Sequence, residues 1–194
     1  MAPKYIAFCG LDGSGKDTQL YRLKQYLEEE CGKKVYVSKV KFTMFSNYKD
    51  EIITSELLRY AMGFEFVKHY LELKEQVEDY DYVFCNRHKL CYLAHGFPYG
   101  VTDIKVVNHI FSIISEPDIT FYFDIRPEVS MERVLKRKNK KRCTQETIEF
   151  QREAKKAYEY LIENGIATVE RIDAECDVEE VQRCIRDIFT KKIL

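Results

Sequence analysis

The chain has 194 residues, with 31 basic side chains against 32 acidic ones, and 45% of its residues are hydrophobic. Such a length and hydrophobic content suit a folded globular domain and exclude an intrinsically disordered chain. The net charge of −1 argues against a dedicated DNA-binding protein, and no apolar run approaches the roughly 20 residues that span a bilayer.

Seven cysteines are scattered along the chain without a Cys-x-x-Cys pair, a spacing that favours neither a disulfide framework nor a zinc site. Several of them lie in apolar runs, where a buried structural thiol is the usual finding. The apolar stretch near the N-terminus is also too short for a secretory signal. We therefore expect a reducing, cytoplasmic location and no nucleophilic cysteine.

Short apolar runs alternate along the chain with longer segments of helical period. Amphipathic helices are predicted over Lys16–Glu30, Val129–Arg137, Glu146–Glu163 and Val178–Ile188. Runs rich in β-branched and aromatic residues predict strands at Tyr5–Cys9, Val35–Val40, Tyr82–Cys85, Ile119–Phe123 and Ala167–Ile172. This alternation predicts a single α/β domain over residues 1–194, built on a parallel sheet with right-handed crossovers.

The strongest motif lies between the first predicted strand and the first predicted helix. Gly10-Leu-Asp-Gly-Ser-Gly-Lys16 fits the pattern G-x-x-x-x-G-K of a phosphate-binding loop. Glycines allow such a loop to point successive backbone N–H groups at a phosphate, and the following helix adds the positive end of its dipole. An ordinary Gly-rich turn would leave the spacing of the glycines and lysine unexplained. We predict nucleotide contacts from Gly10, Gly13, Ser14, Gly15, Lys16, Asp17 and Thr18.

One position in this loop departs from the pattern. The residue after the lysine is Asp17, where a Ser or Thr hydroxyl usually binds Mg²⁺. A carboxylate oxygen is also a ligand that Mg²⁺ prefers. We therefore predict that Asp17 is a metal ligand.

A basic run interrupts the otherwise balanced charge of the chain. Seven of the ten residues from Arg133 to Arg142 are lysine or arginine. Taken alone, such a run is most often a solvated helix face or loop. A nucleic-acid-binding patch is less favoured, because the run lacks interleaved aromatic residues.

Four segments that cover most of the chain follow the order and spacing of one enzyme family. They read FCGLDGSGKDTQ, VFCNRHKLCYLAHG, DITFYFDIRPEVSMERVLKRK and RCTQETIEFQREAKKAYEYLIENG. They resemble the motifs of the thymidylate kinase family of nucleoside monophosphate kinases. The resemblance implies a three-layer P-loop NTPase fold with a five-stranded parallel sheet, helices on both faces and a basic lid at about residues 136–146.

The resemblance also implies an ATP- and Mg²⁺-dependent phosphotransferase that acts on a nucleoside monophosphate, with dTMP as the first candidate. Phosphoryl transfer requires mainly positioning and positive charge around the phosphoryl oxygens. Family members that lack a basic residue inside the phosphate loop place arginines in the lid, and this loop has Gly13-Ser14 there. Arg137 and Arg142 are therefore candidate catalytic residues, whereas Arg133 is either a third such cation or a helix-face residue.

Three further residues complete the predicted catalytic set. Lys16 would reach the β- and γ-phosphates of ATP. Arg87 matches the family's arginine that grips the acceptor phosphate, a role that suits bidentate guanidinium geometry. Asp12 matches an acidic residue that points toward the acceptor sugar, although aspartate is also an ordinary turn residue.

A second departure from the family pattern concerns the metal site. Asn86 stands where the family has an aspartate at the end of a central strand. Since Asp17 adds a carboxylate where a hydroxyl is usual, we hypothesise that the carboxylate has moved across the Mg²⁺ site. The alternative is decay of an unneeded site.

The acceptor-binding motifs depart furthest from the family. Its A-D-R-x-x-H helix reads Tyr60-Ala-Met-Gly-Phe-Glu-Phe66, and the nearest arginine is Arg59, upstream of the motif. The family's R-E-P motif is missing, which leaves Lys39 or Lys41 as candidate phosphate contacts. Ser, Tyr and Gln of the family are replaced by Cys91, His95 and Gly96. These changes favour a reshaped acceptor pocket.

Two alternatives to a dTMP kinase stay open at this point. One is a thymidylate-kinase-like enzyme with a different or modified small-molecule acceptor, which would carry a phosphate because Arg87 is retained. The other is a catalytically silent nucleotide-binding protein, because Asp17 and Asn86 both alter metal motifs. The resemblance implies a homodimer, for which Val101–Ile114 offers an apolar helix, although a core helix has the same pattern. No nucleic-acid or membrane partner is expected.

Overall fold

The structure, a computed structural model, describes residues 2–40, 56–136 and 147–194. In these segments five parallel strands form one sheet, in the order β2-β3-β1-β4-β5. The strands are β1 (Lys4–Gly10), β2 (Val35–Lys39), β3 (Tyr82–Asn86), β4 (Ile119–Asp124) and β5 (Glu170–Asp173). The helices are α1 (Lys16–Glu29), α2 (Glu56–Gln76), α3 (Lys89–Gly96), α4 (Ile104–Phe111), α5 (Pro127–Leu135), α6 (Ile148–Glu163) and α7 (Val178–Lys192).

The three central strands are buried along nearly their whole length, as their continuous apolar sequences require of a parallel sheet covered on both faces. β1 lies in the middle, with Phe8 opposite Asn86 of β3 and Phe121 of β4. The ring of Phe8 lies 5.2 Å from that of Phe84 and 6.2 Å from that of Phe123, measured between centroids. The predicted parallel sheet is confirmed.

Consecutive strand residues point to opposite faces of the sheet, so a continuous apolar strand presents apolar side chains on both faces. Helices cover both of these faces. On one face Phe84 packs against Phe189 of α7, with ring centroids 6.4 Å apart, and α7 contacts α1. On the other face Tyr122 of β4 stacks on Tyr158 of α6 at 5.0 Å, and α3 contacts α6. The three-layer architecture is therefore confirmed.

Two predicted elements differ from those observed. β5 begins only at Glu170, so residues 167–169 of the predicted strand lie before it. Within the apolar segment 101–114, α4 covers only Ile104–Phe111 and begins after Asp103, whose carboxylate accepts hydrogen bonds from two backbone N–H groups of the first turn. Val107 and Phe111 of α4 are buried, so at least one side of this helix belongs to the core.

The predicted lid, residues 136–146, lies outside the described residues except for Lys136 at its start. Within the described segments, no helix combines the length and apolar character needed to cross a membrane.

Candidate active site

The carboxyl ends of β1 and β3 lie side by side in the sheet, and the phosphate loop (residues 10–16) follows β1 there. Ligands of open α/β sheets bind at this edge. The loop glycines Gly10, Gly13 and Gly15 all have positive φ angles, of 150°, 94° and 85°. At Gly13 the requirement is also steric, because an added Cβ would lie 2.4 Å from the backbone oxygen of Ser130 in α5. Glycine therefore allows the loop to pack directly against α5.

The loop also borders a cavity of about 310 Å³ beside α7. Ser14 and Thr18 line it, and the Ser14 hydroxyl is buried without a hydrogen-bond partner among the described residues. Arg133 of α5 lines the same cavity and donates a hydrogen bond of 2.8 Å to the carbonyl of Ala174. The first residue of the basic run is thus held beside the phosphate loop instead of projecting into solvent.

Lys16 begins α1 and is almost completely buried, with 5% of its surface exposed. Its Nζ lies 3.4 Å from the carbonyl oxygen of Leu11 and 3.7 Å from a carboxylate oxygen of each of Asp12 and Asp17. Burial and the charge of Arg87 lower the pKa of Lys16, whereas the two carboxylates act to raise it. The ammonium group of Lys16 therefore lies between the carboxylates of Asp12 and Asp17.

Arg87 follows β3 directly and has a strained backbone. Its φ angle is +79°, which only glycine adopts without cost. Two hydrogen bonds hold this conformation: its N–H donates to the carbonyl of Phe8 at 3.2 Å, and its own carbonyl accepts from the Tyr70 hydroxyl at 2.9 Å. Strain of this kind is common at functional sites and persists because the surroundings impose it.

The Arg87 side chain points at the phosphate loop. Its Nη2 lies 2.5 Å from the Asp12 carboxylate, and its Nη1 lies 3.3 Å from Nε2 of His95. Burial would lower the pKa of Arg87, but the charges of Asp12 and of further neighbouring groups, Asp17 among them, together outweigh it and the pKa is raised. Burial and the charge of Arg87 lower the pKa of His95 well below its usual value, so that ring is neutral. Three predicted site residues, Asp12, Lys16 and Arg87, therefore lie together.

The two departures from the family's metal motifs are neighbours in space. Asn86 ends β3, is 5% exposed and lies near the side chain of Asp17. Burial raises the pKa of Asp17, but the charge of Lys16 and the neighbouring amide of Asn86 outweigh it, so this pKa lies below its ordinary value. An ionised carboxylate and an amide thus face the loop from α1 and β3.

A cavity of about 240 Å³ opens on the other side of Arg87. It is lined by residues of β2, α2, β3 and α3, among them Lys39, Arg59 and His95. Arg59 is 4% exposed, and its Cζ lies 5.2 Å from the ring centroid of Tyr92 and 5.0 Å from that of Tyr99. Its Nε has no hydrogen-bond partner among the described residues. The cavity therefore contains a buried guanidinium with a free donor.

The sequence alone does not assign Arg59 to the site, because the family's arginine corresponds to Gly63. A Cβ at Gly63 would lie 2.9 Å from the Tyr92 hydroxyl, so Tyr92 takes up that space. Arg59 and Gly63 are four residues apart, and such residues share one helix face. This spacing is the signal that identifies Arg59. His95 was identified only as a departure from the family, and its contact with Arg87 depends on the packing of α3.

Four of the predictions made from the sequence concern residues that the structure does not describe. Arg137 and Arg142, the candidate lid cations, lie outside the described residues, as does Lys41. Lys39, the alternative to Lys41, lies at the end of β2 and lines the 240 Å³ cavity. The fourth is the lid itself.

Comparisons with known proteins agree with this geometry. The family model described as thymidylate kinase matches residues 8–185. A protein named thymidylate kinase from Trichodesmium erythraeum is 30% identical, over 100% of this chain and 98% of its own length. Proteins of the same name from Caldicellulosiruptor saccharolyticus and Francisella tularensis are each 29% identical, over 98% of this chain and 94% and 97% of their own lengths. The chain belongs to the thymidylate kinase family.

Proposed function

We propose that the protein is an ATP-dependent kinase that transfers the γ-phosphoryl group of ATP to dTMP, giving ADP and dTDP. The observation that carries the proposal is the placement of Arg87, which lies between the phosphate loop and the 240 Å³ cavity. A donor phosphate on the loop and an acceptor phosphate on Arg87 would therefore meet. The relatives named thymidylate kinase support dTMP as the acceptor.

Each group around the loop has a role in binding and positioning. The backbone N–H groups of the loop and Lys16 bind the ATP phosphates, and the cavity beside Arg133 takes the rest of ATP. Arg87 binds the acceptor phosphate in bidentate fashion, while Asp12 fixes the direction of that guanidinium. An acceptor phosphate oxygen then attacks the γ-phosphorus as the bond to the β-phosphate oxygen breaks. The proposed roles of Arg137 and Arg142 are to neutralise the transferring group.

Arg59 is proposed to bind the acceptor at the far side of the cavity from the phosphate. Because its Nε donor is buried and unpaired among the described residues, a carbonyl oxygen of the acceptor base would satisfy it. The rings of Tyr92 and Tyr99 hold the guanidinium in place.

The donor set at Asp17 and Asn86 fits Mg²⁺, which prefers oxygen ligands and is usually held by one or two carboxylates together with substrate phosphates. The lowered pKa of Asp17 keeps its carboxylate ionised at neutral pH. Among the described residues, no three His, Cys, Asp or Glu side chains cluster in the manner of an all-protein metal site. Bound Mg²⁺ would neutralise charge on the β- and γ-phosphates.

The proposed relocation of the carboxylate predicts the outcome of an exchange between the two positions. Asp17→Thr should raise the Mg²⁺ concentration needed for half-maximal turnover by about 10- to 100-fold. Asp17→Thr combined with Asn86→Asp should recover most of that loss, because the carboxylate returns from the other side of the site. Titration of turnover with Mg²⁺ measures both. If Asp17→Ala keeps the wild-type Mg²⁺ dependence, the carboxylate does not serve the metal.

The proposed function is tested by a coupled assay of ADP release with ATP and Mg²⁺ against the common nucleoside monophosphates. Turnover should require an acceptor and should be fastest with dTMP. If another monophosphate is preferred, the proposed phosphoryl transfer is retained and the proposal of dTMP as the acceptor is wrong. If no monophosphate supports turnover, the proposed kinase activity is wrong.

We also propose a cytoplasmic enzyme that acts as a homodimer, as the family resemblance implies. Exposed apolar side chains support an interface on the neighbouring helices α2 and α4, where Phe64 is 60% exposed and Val106 is 43% exposed. The six cysteines in the described part of the chain are all free thiols, which fits a reducing compartment.

A further inference from the structure

Two residues from different elements hold the guanidinium of Arg87 at different nitrogens. A carboxylate oxygen of Asp12, in the phosphate loop, lies 2.5 Å from Nη2, and Nε2 of His95, in α3, lies 3.3 Å from Nη1. A single hydrogen bond at one nitrogen would leave the guanidinium plane free to swing about that contact. Two bonds at two nitrogens fix the plane, and they leave further N–H donors of the guanidinium for a ligand.

The contact with Arg87 decides which ring nitrogen of His95 carries the hydrogen. An arginine side chain has only donors, so Nη1 donates and Nε2 accepts. A ring that accepts at Nε2 is neutral and carries its hydrogen on Nδ1. Burial and the charge of Arg87 lower the pKa of His95 well below its ordinary value, which agrees with a neutral ring.

A neutral acceptor suits a site that must attract an anion. Asp12 already offsets one positive charge beside Arg87. A second carboxylate in place of His95 would compete with an anionic ligand for the guanidinium, whereas a protonated ring would repel it. The positive charges of Lys16 and Arg59 also act to lower the pKa of His95 and so oppose protonation of the ring. The ring therefore orients Arg87 without neutralising the charge that attracts a phosphate.

Aromatic residues of α6 fix the His95 ring. The ring centroids of Phe150 and Tyr158 lie 5.7 Å and 5.9 Å from that of His95, and both rings meet it nearly edge-on. His95 is only 5% exposed, whereas 29% of the Arg87 side chain is exposed. Both residues line the 240 Å³ cavity. A buried and well-packed ring thus supports a guanidinium that a ligand can reach.

We propose that His95 is a positioning residue for the acceptor phosphate. Its neutral ring accepts a hydrogen bond from Arg87 and holds the guanidinium in the orientation that binds this phosphate. His95 acts through Arg87 and not by touching the acceptor. The inference rests on the proposed function, because it assumes that Arg87 binds the acceptor phosphate.

The tautomer can be measured in the wild-type full-length chain without any substitution. With ¹⁵N-labelled histidine, long-range ¹H–¹⁵N correlation spectra distinguish a ring nitrogen that carries a hydrogen from one that does not. At neutral pH we expect His95, assigned through the backbone of α3, to carry its hydrogen on Nδ1 and none on Nε2. A hydrogen on Nε2, or on both nitrogens, would overturn the proposal.

Two substitutions separate the hydrogen bond from the packing of the ring. His95→Phe keeps an aromatic ring against α6 but removes the acceptor, whereas His95→Gln removes the ring but keeps an acceptor oxygen for Arg87. His95→Phe should weaken binding of dTMP about 10-fold, and His95→Gln should recover most of that loss. A role in packing alone predicts the opposite order. If His95→Gln binds dTMP no better than His95→Phe, the proposal is wrong.

Thymidine, which lacks the phosphate, is the comparison ligand. Calorimetric titration of wild-type chain and His95→Phe with each ligand should show a loss of affinity for dTMP and an affinity for thymidine within about twofold of wild type. His109→Phe, the same change at an exposed histidine of α4, is the matched control and should affect neither ligand. Equal losses for both ligands in His95→Phe would overturn the role of His95 alone. A wild-type chain that does not bind dTMP would instead contradict the proposed function, and this inference with it.

Discussion

At the scale of single residues, the acceptor cavity is bounded by two arginines with different partners. Arg87 lies against a carboxylate, with its Nη2 2.5 Å from Asp12. Arg59 lies against two tyrosine rings and keeps a free donor among the described residues. In the proposed function, Arg87 therefore binds at the phosphate end of the site, and Arg59 at the end that distinguishes acceptors.

The role proposed for Arg59 predicts a selective kinetic defect. Arg59→Met should raise KM for dTMP by about 10- to 100-fold, because a hydrogen bond from a charged donor contributes about 1.5–3 kcal/mol. KM for ATP should stay near its wild-type value, since Arg59 does not line the cavity beside the phosphate loop. Initial-rate kinetics with each substrate varied in turn measure the difference.

The matched control is Arg126→Met, which removes a side chain that is 72% exposed and paired with Glu175. It should change neither KM. Equal increases in both KM values for Arg59→Met would indicate general disruption instead of a lost acceptor contact.

The positive φ angle of Arg87 predicts an unusual order of stability between two variants. Arg87→Gly and Arg87→Ala should both abolish binding of the acceptor phosphate. The glycine variant should nevertheless be the more stable by about 1 kcal/mol, because a residue with a Cβ is strained at a φ of +79°. Urea unfolding measures the difference. An alanine variant as stable as the glycine variant would show that the backbone relaxes without cost.

The sequence alone predicted the site residues whose positions are set by a local motif. It missed those whose positions are set by packing between elements. Lys16 and Asp17 were identified because the loop fixes their positions within a few residues. The position of Arg59 in the site depends on how α2 packs beside α3. No short motif encodes contacts of that kind.

At the scale of elements, the phosphate loop owes its shape to α5. The carbonyl of Ser130 lies against Gly13, and the Ser130 hydroxyl donates a hydrogen bond to the carbonyl of Asp12. Tyr158 of α6 donates to the carbonyl of Gly10 at 3.3 Å. Two helices therefore fix the loop from outside.

This packing predicts that Gly13→Ala is more damaging than strain alone explains. The added Cβ would meet the Ser130 oxygen at 2.4 Å, so α5 must move away and the loop must change shape. We expect a loss of ATP binding and a destabilisation clearly above the roughly 1 kcal/mol of a strained φ angle. Thermal unfolding and a nucleotide-binding titration measure the two effects.

Gly165→Ala is the control for strain without collision. Gly165 also has a positive φ, of 69°, but a Cβ there would contact nothing within 4 Å. Gly165→Ala should lower the free energy of unfolding only by the cost of the backbone strain, and it should leave ATP binding unchanged. Similar destabilisation in both variants would show that α5 gives way easily and does not shape the loop.

The elements predicted from sequence were those with a clear period. The central strands have continuous apolar runs, and α1, α6 and α7 have one apolar stripe. α2 was not predicted over its full length, because apolar residues also occupy its exposed face: Phe64 is 60% exposed and Leu71 is 42% exposed. Mixed faces of this kind hide the helical period.

At the scale of the whole molecule, two buried histidines make folding sensitive to acid. His88 and His95 are 4% and 5% exposed. Burial and the charge of Lys89 lower the pKa of His88 to about 3, and burial together with Arg87 lowers that of His95 well below its usual value. Both rings are neutral in the folded chain and gain a proton near pH 6.5 when the chain unfolds.

Stability should therefore be complete above about pH 6.5 and fall as the pH drops below it, because the unfolded state then binds protons that the folded state does not. Each histidine should contribute a slope of up to about 1.4 kcal/mol per pH unit. Urea unfolding at pH 7.5, 6.0 and 5.0 measures the sum. His88→Phe should reduce the slope, since a phenyl ring keeps the contacts with Phe66 and Tyr70 and does not titrate. A slope that His88→Phe leaves unchanged would contradict the assignment.

The most direct test of the proposed function follows the phosphoryl group itself. ATP labelled at the γ-phosphate is mixed with dTMP, Mg²⁺ and the protein, and the labelled products are separated. We expect the label in dTDP, with transfer lost in Arg87→Ala and retained in Arg126→Met. Label that stays in ATP, or that appears only as inorganic phosphate, would contradict the proposal that this protein is a dTMP kinase.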